Sequence, residues 1–175
     1  MLGLISINYK TTPLEIREKF FLSDSDQGYL YTKYKKDKIA DGLYIISTCN
    51  RTEIYFEVFD LNLSFEYVYH KMISKLVKYK KFSESISPYI TVKNSKDVVS
   101  HLFSLASGLE SMLIGEYQIV DQIKKSYSLA VDNKSLSPIL NRLIQKSLNA
   151  SKVVRTKTKI DKGAVSVSYA AVERI

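Results

Sequence analysis

Apolar positions cluster or alternate in short runs through the first half of the chain and recur at helical spacing through the second. Leu4, Ile5 and Ile7 stand in a stretch from Leu2 to Tyr9 that has no helical period, which predicts a strand. Pro13 suits a first helical turn, with Thr12 before it as a candidate cap. A Tyr- and Lys-rich helix is expected from Gln27 to Ile39, and Asp41-Gly42 marks a turn. Leu43 to Ser47 is a short buried-type run. Ile54, Phe56 and Val58 alternate with Tyr55, Glu57 and Phe59, as in a half-buried strand, and Thr48-Cys49-Asn50-Arg51 joins the two as a hairpin or tight connection. Val68, Met72, Leu76 and Tyr79 fall one turn apart and predict a helix over Phe65 to Tyr79; Pro88 to Val92 reads as a short strand.

From Ser95 onward the period is helical throughout: Val98, Leu102 and Leu105; then Ile119, Ile123, Tyr127 and Ala130; then Leu136, Leu140, Leu143 and Leu148. Pro138 sits early in the third group, where a first turn tolerates it. Val165 to Ile175 reads as the start of another helix. The chain stops inside that pattern without a cap or polar tail, so it is expected to be a piece of a longer protein. The order strand, helix, strand, strand, helix, strand is that of a split β-α-β unit. The expected class is therefore α+β: a ferredoxin-like sandwich with an appended helical subdomain.

Composition narrows the picture. A chain of 175 residues buries a real core without staples, and one Cys excludes an internal disulfide. No apolar run approaches the ~20 residues of a membrane span, and the N-terminus has no leader pattern, so a reducing cytoplasm is expected. The formal charge of +8 suits an anionic partner such as nucleic acid, or reflects solvated lysines alone. Basic clusters stand at Lys33, Lys35, Lys36 and Lys38; at Lys75, Lys78, Lys80 and Lys81; and at Lys146, Lys152, Arg155, Lys157, Lys159 and Lys162. One Cys and two distant His build no zinc site of the usual spacing, and no Gly-x-Gly-x-x-Gly or Walker loop occurs.

Three features could carry chemistry. Cys49 by itself reads as a small buried hydrophobe. A free thiol ionises near pH ~8.5, so a nucleophilic role needs a neighbour such as Arg51 or His101. The turn's backbone N–H groups could also meet an oxyanion. His101 sits in an apolar helical stretch and by itself reads as a satisfied core or boundary residue; His70 reads as exposed. The stretch from Ser107 to Gln122 is polar where a core helix should not be. On an unbroken helix Ser111, Gln118 and Gln122 fall within about 40° of one another, beside an apolar face of Leu109, Met112, Ile119 and Ile123. Glu116 falls elsewhere unless Gly115 interrupts the helix and turns it inward. Read alone, this is a solvated helix face.

Thr48-Cys49-Asn50-Arg51-Thr52-Glu53-Ile54-Tyr55 is similar to the nucleophile motif of the glutamyl-tRNA reductase family, and three other blocks agree with it in register. Ile7 to Pro13 with Ile16-Arg17-Glu18 resembles its N-terminal signature, and Ser100-His101-Leu102, Ala106 to Ser111 and Gly115 to Ile119 its second signature. Gly163 to Ser168 with Ala170-Ala171 resembles the entry to a linker helix. The resemblance implies that Cys49 attacks the ester of glutamyl-tRNA(Glu) to give a thioester, which NADPH reduces to glutamate-1-semialdehyde for tetrapyrrole (porphyrin) synthesis. It implies His101 as the histidine near the thiol and Thr48, Asn50 and Arg51 as substrate-binding, with Arg51 on the substrate's carboxylate. Ser111, Glu116, Tyr117, Gln118 and Gln122 would line the glutamate pocket.

It also implies a division into residues 1–93 carrying Cys49, 94–160 completing the pocket, and 161–175 leading to an NADPH-binding domain beyond the chain. No NADPH is then expected on this chain. A homodimer and a glutamate-1-semialdehyde aminomutase partner are implied for the full-length protein, and a monomer for this piece. Tyr9 stands where the family usually has His, Tyr117 where it has Pro, and Glu110 where it has Asp. A non-enzymatic tRNA- or partner-binding module and a divergent acyl-transfer protein are the alternatives.

Overall fold

The computed structural model describes residues 1–158 and 160. The expected helix at Val165 to Ile175, the 161–175 linker, the Gly163 block, and Lys159 and Lys162 of the third basic cluster lie outside the described residues. The chain runs β1 (Leu2–Asn8), α1 (Leu14–Phe20), α2 (Asp24–Lys36), β2 (Gly42–Ser47), β3 (Arg51–Glu57), α3 (Phe65–Tyr79), β4 (Thr91–Asn94), α4 (Ser95–Ala106), α5 (Gln118–Asp132) and α6 (Pro138–Thr158). The sheet order is β2-β3-β1-β4 with every neighbouring pair antiparallel. The expected α+β class is met, as helices packed with a four-stranded antiparallel sheet.

Helices cover both faces of the sheet. On one side Thr52 Oγ1 donates to the Phe20 carbonyl of α1 (3.0 Å), and Phe56 stacks on Phe65 of α3 at 5.8 Å. The Tyr34 hydroxyl of α2 donates to Met72 O of α3 (2.9 Å). On the other side Tyr44 donates to Ile123 O of α5 (3.0 Å), and His101 of α4 meets Glu53. One continuous apolar core runs from Leu4, Ile5 and Ile45 through Leu102, Ile123 and Ile144. Among the described residues no helix is long and apolar enough to cross a membrane.

Several elements differ from the sequence reading. β3 is buried at every position rather than half-buried, because it is an inner strand with helices on both faces. The expected strand at Pro88 to Val92 begins later: Ser87–Tyr89 forms a 3-10 turn, and pairing with β1 runs from Thr91 to Asn94. Pro13, not Thr12, stands at the N-cap position of α1, with no side-chain cap; the Thr12 hydroxyl instead donates to Tyr89 O (2.9 Å). α2 starts at Asp24, three residues before the expected Gln27. Its capping box has Ser23 accepting from the Asp26 N–H while the Asp26 carboxylate accepts from the Ser23 N–H.

The largest difference is at residues 107–117. These are not helical: α4 ends at Ala106 and α5 begins at Gln118. Gly108 and Gly115 both take positive φ (+81° and +85°), which a helix does not accommodate. Leu109 and Met112, expected on an apolar helix face, are about half exposed.

The outer edge of β2 is covered by the α5–α6 connection. Leu43 N–H donates to Ser135 O (2.7 Å), and the Ser135 hydroxyl returns a bond to Leu43 O (3.0 Å). Such cover protects an edge that would otherwise offer unpaired backbone groups. The connection approaches so closely that a Cβ on Gly42 would lie 2.6 Å from Ser137 Cβ and 2.9 Å from its backbone N. Gly42→Ala is therefore expected to lower stability by about 1–3 kcal/mol, the usual cost of overpacking. Urea denaturation checks this, and an unchanged midpoint would refute the tight approach.

Candidate active site

The β2–β3 turn presents Cys49. Thr48 N–H donates to Arg51 O (2.8 Å), Asn50 N–H to the Thr48 hydroxyl (3.2 Å), and Tyr9 N–H to Asn50 O (3.0 Å). Arg17, from α1, donates to Cys49 O (3.1 Å) and Asn50 Oδ1 (3.2 Å). The turn is thus closed internally and held from two sides. Cys49 is exposed, contrary to the reading of a lone Cys as a buried hydrophobe.

A cleft of about 150 Å³ opens beside the turn, lined by Thr48, Cys49, Asn50, Arg51, Ser111, Met112, Glu116, Gln118, Ile119 and Gln122. Eight of the ten residues singled out from sequence meet there. They do so by a different route from the expected helical stripe, since Ser111 and Glu116 come from the loop and only Gln118 and Gln122 from α5. Tyr117 does not line the cleft; its exposed ring lies between the Arg155 guanidinium (5.1 Å) and Lys124 (5.7 Å).

His101 does not line it either. Its Nε2 is 2.9 Å from Glu53 Oε1, beneath the cleft floor. Glu53 is fully buried and also accepts from Arg51 Nη1 (3.0 Å), the Tyr55 hydroxyl (2.7 Å) and the Ser6 hydroxyl (3.3 Å). Burial alone would push the Glu53 carboxyl up. The bond and charge of His101, the Arg51 guanidinium and the Tyr55 hydroxyl outweigh this and hold it at about 2, against an ordinary 4.5. Burial, together with the Glu53 charge, raises the Tyr55 phenol well above its ordinary 10.0, so it stays a donor.

Arg51 spans the two layers. Its Nη1 holds Glu53, its Nη2 donates to the Glu110 carbonyl, and its guanidinium lies 6.0 Å from the Tyr9 ring centroid. The Tyr9 hydroxyl donates to Ser111 O (3.2 Å). Arg155 of α6 pins the far end of the loop, donating to Gly115 O (2.8 Å) and Glu116 O (2.9 Å). Arg17, Glu53 and Arg155 are contributors the sequence reading did not single out. Arg17 and Glu53 lay inside quoted motifs; Arg155 carried no signal beyond its place in a basic run. Among the described residues no group of three His, Cys, Asp or Glu is placed to hold a metal ion.

A carboxyl whose pKa is lowered by folding contributes fully above its ordinary value and loses that contribution as the pH falls toward the folded value. For Glu53 the window runs from 4.5 down to about 2. Glu53→Gln leaves Arg51 buried without its partner and is expected to cost about 3–5 kcal/mol at neutral pH. Its stability should also fall less steeply through the acid window. Denaturation midpoints measured at a series of pH values test both; a slope equal to that of the parent would contradict the assignment.

Residues 5–158 match the family described as the N-terminal domain of glutamyl-tRNA(Glu) reductase. The glutamyl-tRNA reductase of Aquifex aeolicus is 41% identical over 167 residues, covering 95% of this chain and 40% of the relative. That of Bacillus subtilis is 38% identical over 170 residues, covering 97% and 37%. The solved structure of glutamyl-tRNA reductase from Methanopyrus kandleri matches with a TM-score of 0.74 at 30% identity, covering 99% of this chain and 39% of that one. The chain spans about 40% of the length of the curated relatives it matches. With the family match spanning residues 5–158 and the fold in agreement with it, the chain belongs to the family of glutamyl-tRNA reductase N-terminal domains.

Proposed function

We propose that this chain is the acyl-accepting part of a glutamyl-tRNA reductase, with Cys49 as the nucleophile. The observation that carries the reading is the exposed Cys49 at the edge of a small polar cleft that also contains Arg51, Ser111, Glu116, Gln118 and Gln122. The Cys49 Sγ, as thiolate, forms a bond to the ester carbon of glutamyl-tRNA(Glu). The carbon–oxygen bond to the ribose breaks, and the ribose oxygen leaves with a proton equivalent to the one sulfur gave up. The products are a glutamyl thioester and free tRNA. The Cys49 backbone N–H, which takes no part in the bonds that close the turn, receives the developing oxyanion. Arg51 presents its guanidinium to the substrate's side-chain carboxylate, for which a fork of donors is suited. Thr48, Asn50, Ser111, Glu116, Gln118 and Gln122 complete the polar lining, and Tyr117 borders it from outside. His101 works through Glu53 as a positioning residue for Arg51, not on the sulfur itself.

Reduction of the thioester to glutamate-1-semialdehyde requires a hydride, which NADPH supplies in this family. Among the described residues the sheet has no adjacent parallel strands, and the β1–α1 connection has no glycine, so a dinucleotide-binding βαβ unit does not fit them. No hydride step is assigned to this chain. In this reading residues 1–93 form a ferredoxin-like unit, 94–160 complete the pocket, and 161–175 lead toward the NADPH-binding part. The longer protein acts in the cytoplasm as a homodimer. It passes its reactive aldehyde to a glutamate-1-semialdehyde aminomutase for tetrapyrrole synthesis.

With glutamyl-tRNA(Glu), the chain is expected to release tRNA and to gain a glutamyl adduct on Cys49, seen by mass spectrometry. Cys49→Ser should slow single-turnover release by at least ~10³-fold, as loss of a covalent nucleophile does. Release at the parent rate by the Ser variant would overturn the reading. tRNA binding without release by the parent chain would favour a non-catalytic binding module.

A further inference from the structure

Cys49 stands between two concavities. One is the polar cleft. The other is a groove of about 360 Å³ lined by Leu14, Arg17, Glu18 and Phe21, and it shares Thr48 and Cys49 with the first. The two differ in chemistry. The cleft is small and lined by hydroxyls, amides and charged groups. The groove is more than twice as large and exposes apolar side chains, with Leu14 51% and Phe21 45% accessible, beside one guanidinium and one carboxylate.

An ester attacked at its carbonyl carbon has two halves, the acyl group that becomes bound to sulfur and the alcohol that departs, and each needs space beside the sulfur. The small polar cleft suits a short acyl group with a carboxylate. The larger groove is left for the alcohol, whose base needs a flat apolar platform. We propose that the groove of Leu14, Arg17, Glu18 and Phe21 binds the terminal nucleoside of the ester-bearing RNA, with the base against Phe21 and Leu14. This rests on the acyl-transfer reading of Cys49.

The ground next to the groove is cationic, as an RNA strand requires. Lys80 Nζ donates to Phe21 O (2.7 Å). Past Tyr79, whose ring stacks on Tyr29 at 4.8 Å, a second groove is lined by Lys33, Lys75, Lys78 and Lys81. Two of the basic clusters legible in the sequence thus meet between α2 and α3. Asp37 pairs with Lys33 and Lys75, and Asp26 lies 3.8 Å from Lys80, so the charge is reduced there but stays positive. Glu18 is the anionic group at the nucleoside groove itself.

The test is protection of Cys49 from alkylation by iodoacetamide. The trinucleotide cytidylyl-cytidylyl-adenosine is expected to slow alkylation of the parent chain. Phe21→Ala and Leu14→Ser, each at an exposed side chain, should weaken that protection roughly tenfold or more, as loss of one base-stacking platform does. The alkylation rate without nucleotide should be unchanged in both, which separates a lost subsite from a disturbed turn. Absence of protection, or equal protection in parent and both variants, would overturn the proposal. So would protection by nicotinamide mononucleotide where the trinucleotide gives none. Failure of the acyl-transfer reading is separate: Cys49→Ser would then retain ester cleavage whatever the protection result.

Discussion

A carboxylate with no solvent exposure sits at the centre of this fold, and its neighbours are arranged around it. An isolated buried charge costs several kcal/mol (roughly, after relaxation), so Glu53 is tolerable only with its full set of donors in place. Those donors come from three elements: Ser6 from β1, Arg51 and Tyr55 from β3, and His101 from α4. The second helical layer therefore docks on the sheet in the position that brings His101 to Glu53. Arg51 is fixed at the cleft floor by the same carboxylate. Its other nitrogen reaches Glu110 O, so the loop of residues 107–117 is tied to the sheet through one guanidinium. Lys10 Nζ adds a bond to the Glu110 carboxylate (2.5 Å).

That loop is the second constraint. It brings Ser111 and Glu116 to the cleft without the regular backbone bonds of a helix, so its shape must be set by other means. Gly115 N–H donates to Gly108 O (3.0 Å), and both glycines have positive φ, which closes the loop on itself. Arg155 then holds Gly115 and Glu116 by their carbonyls. One end of the loop hangs on Arg51 and the other on Arg155. A cleft built on a loop gains the precision of a scaffold element only when its backbone is held in this way.

Local patterns made part of this legible. The turn between two apolar runs placed Cys49 between β2 and β3, and helical spacing placed α3 to α6. What escaped had a common cause: partners distant in sequence. Arg51, Glu53 and Glu57 look like the solvated face of an alternating strand. They are buried because their partners lie on β1, α4 and the 107–117 loop, or because a helix covers them, and hydropathy does not register a partner. Helical spacing grouped Ser111 with Gln118 and Gln122 correctly but through the wrong backbone. Periodicity cannot tell a continuous helix from two segments separated by glycines at positive φ. Arg155 acts on residues about forty positions away and looks like any other member of a basic run. The family motifs identified most of the cleft residues, but not the mechanical order in which they hold one another.

The departures from the family pattern follow from these same ties. Tyr9, where the resemblance leads one to expect His, places its ring 6.0 Å from the Arg51 guanidinium and its hydroxyl on Ser111 O. It thereby joins the end of β1 to the loop. Tyr117, where the resemblance leads one to expect Pro, immediately precedes α5 and has its ring near both Arg155 and Lys124. A Pro there would restrict the backbone before the helix; a Tyr leaves that freedom but adds a cation–π contact to the residue that pins the loop. In both places an aromatic ring flanks an arginine whose own hydrogen bonds set the cleft. Packing around the two guanidinium groups thus adds to the hydrogen bonds that hold Arg51 and Arg155 in place.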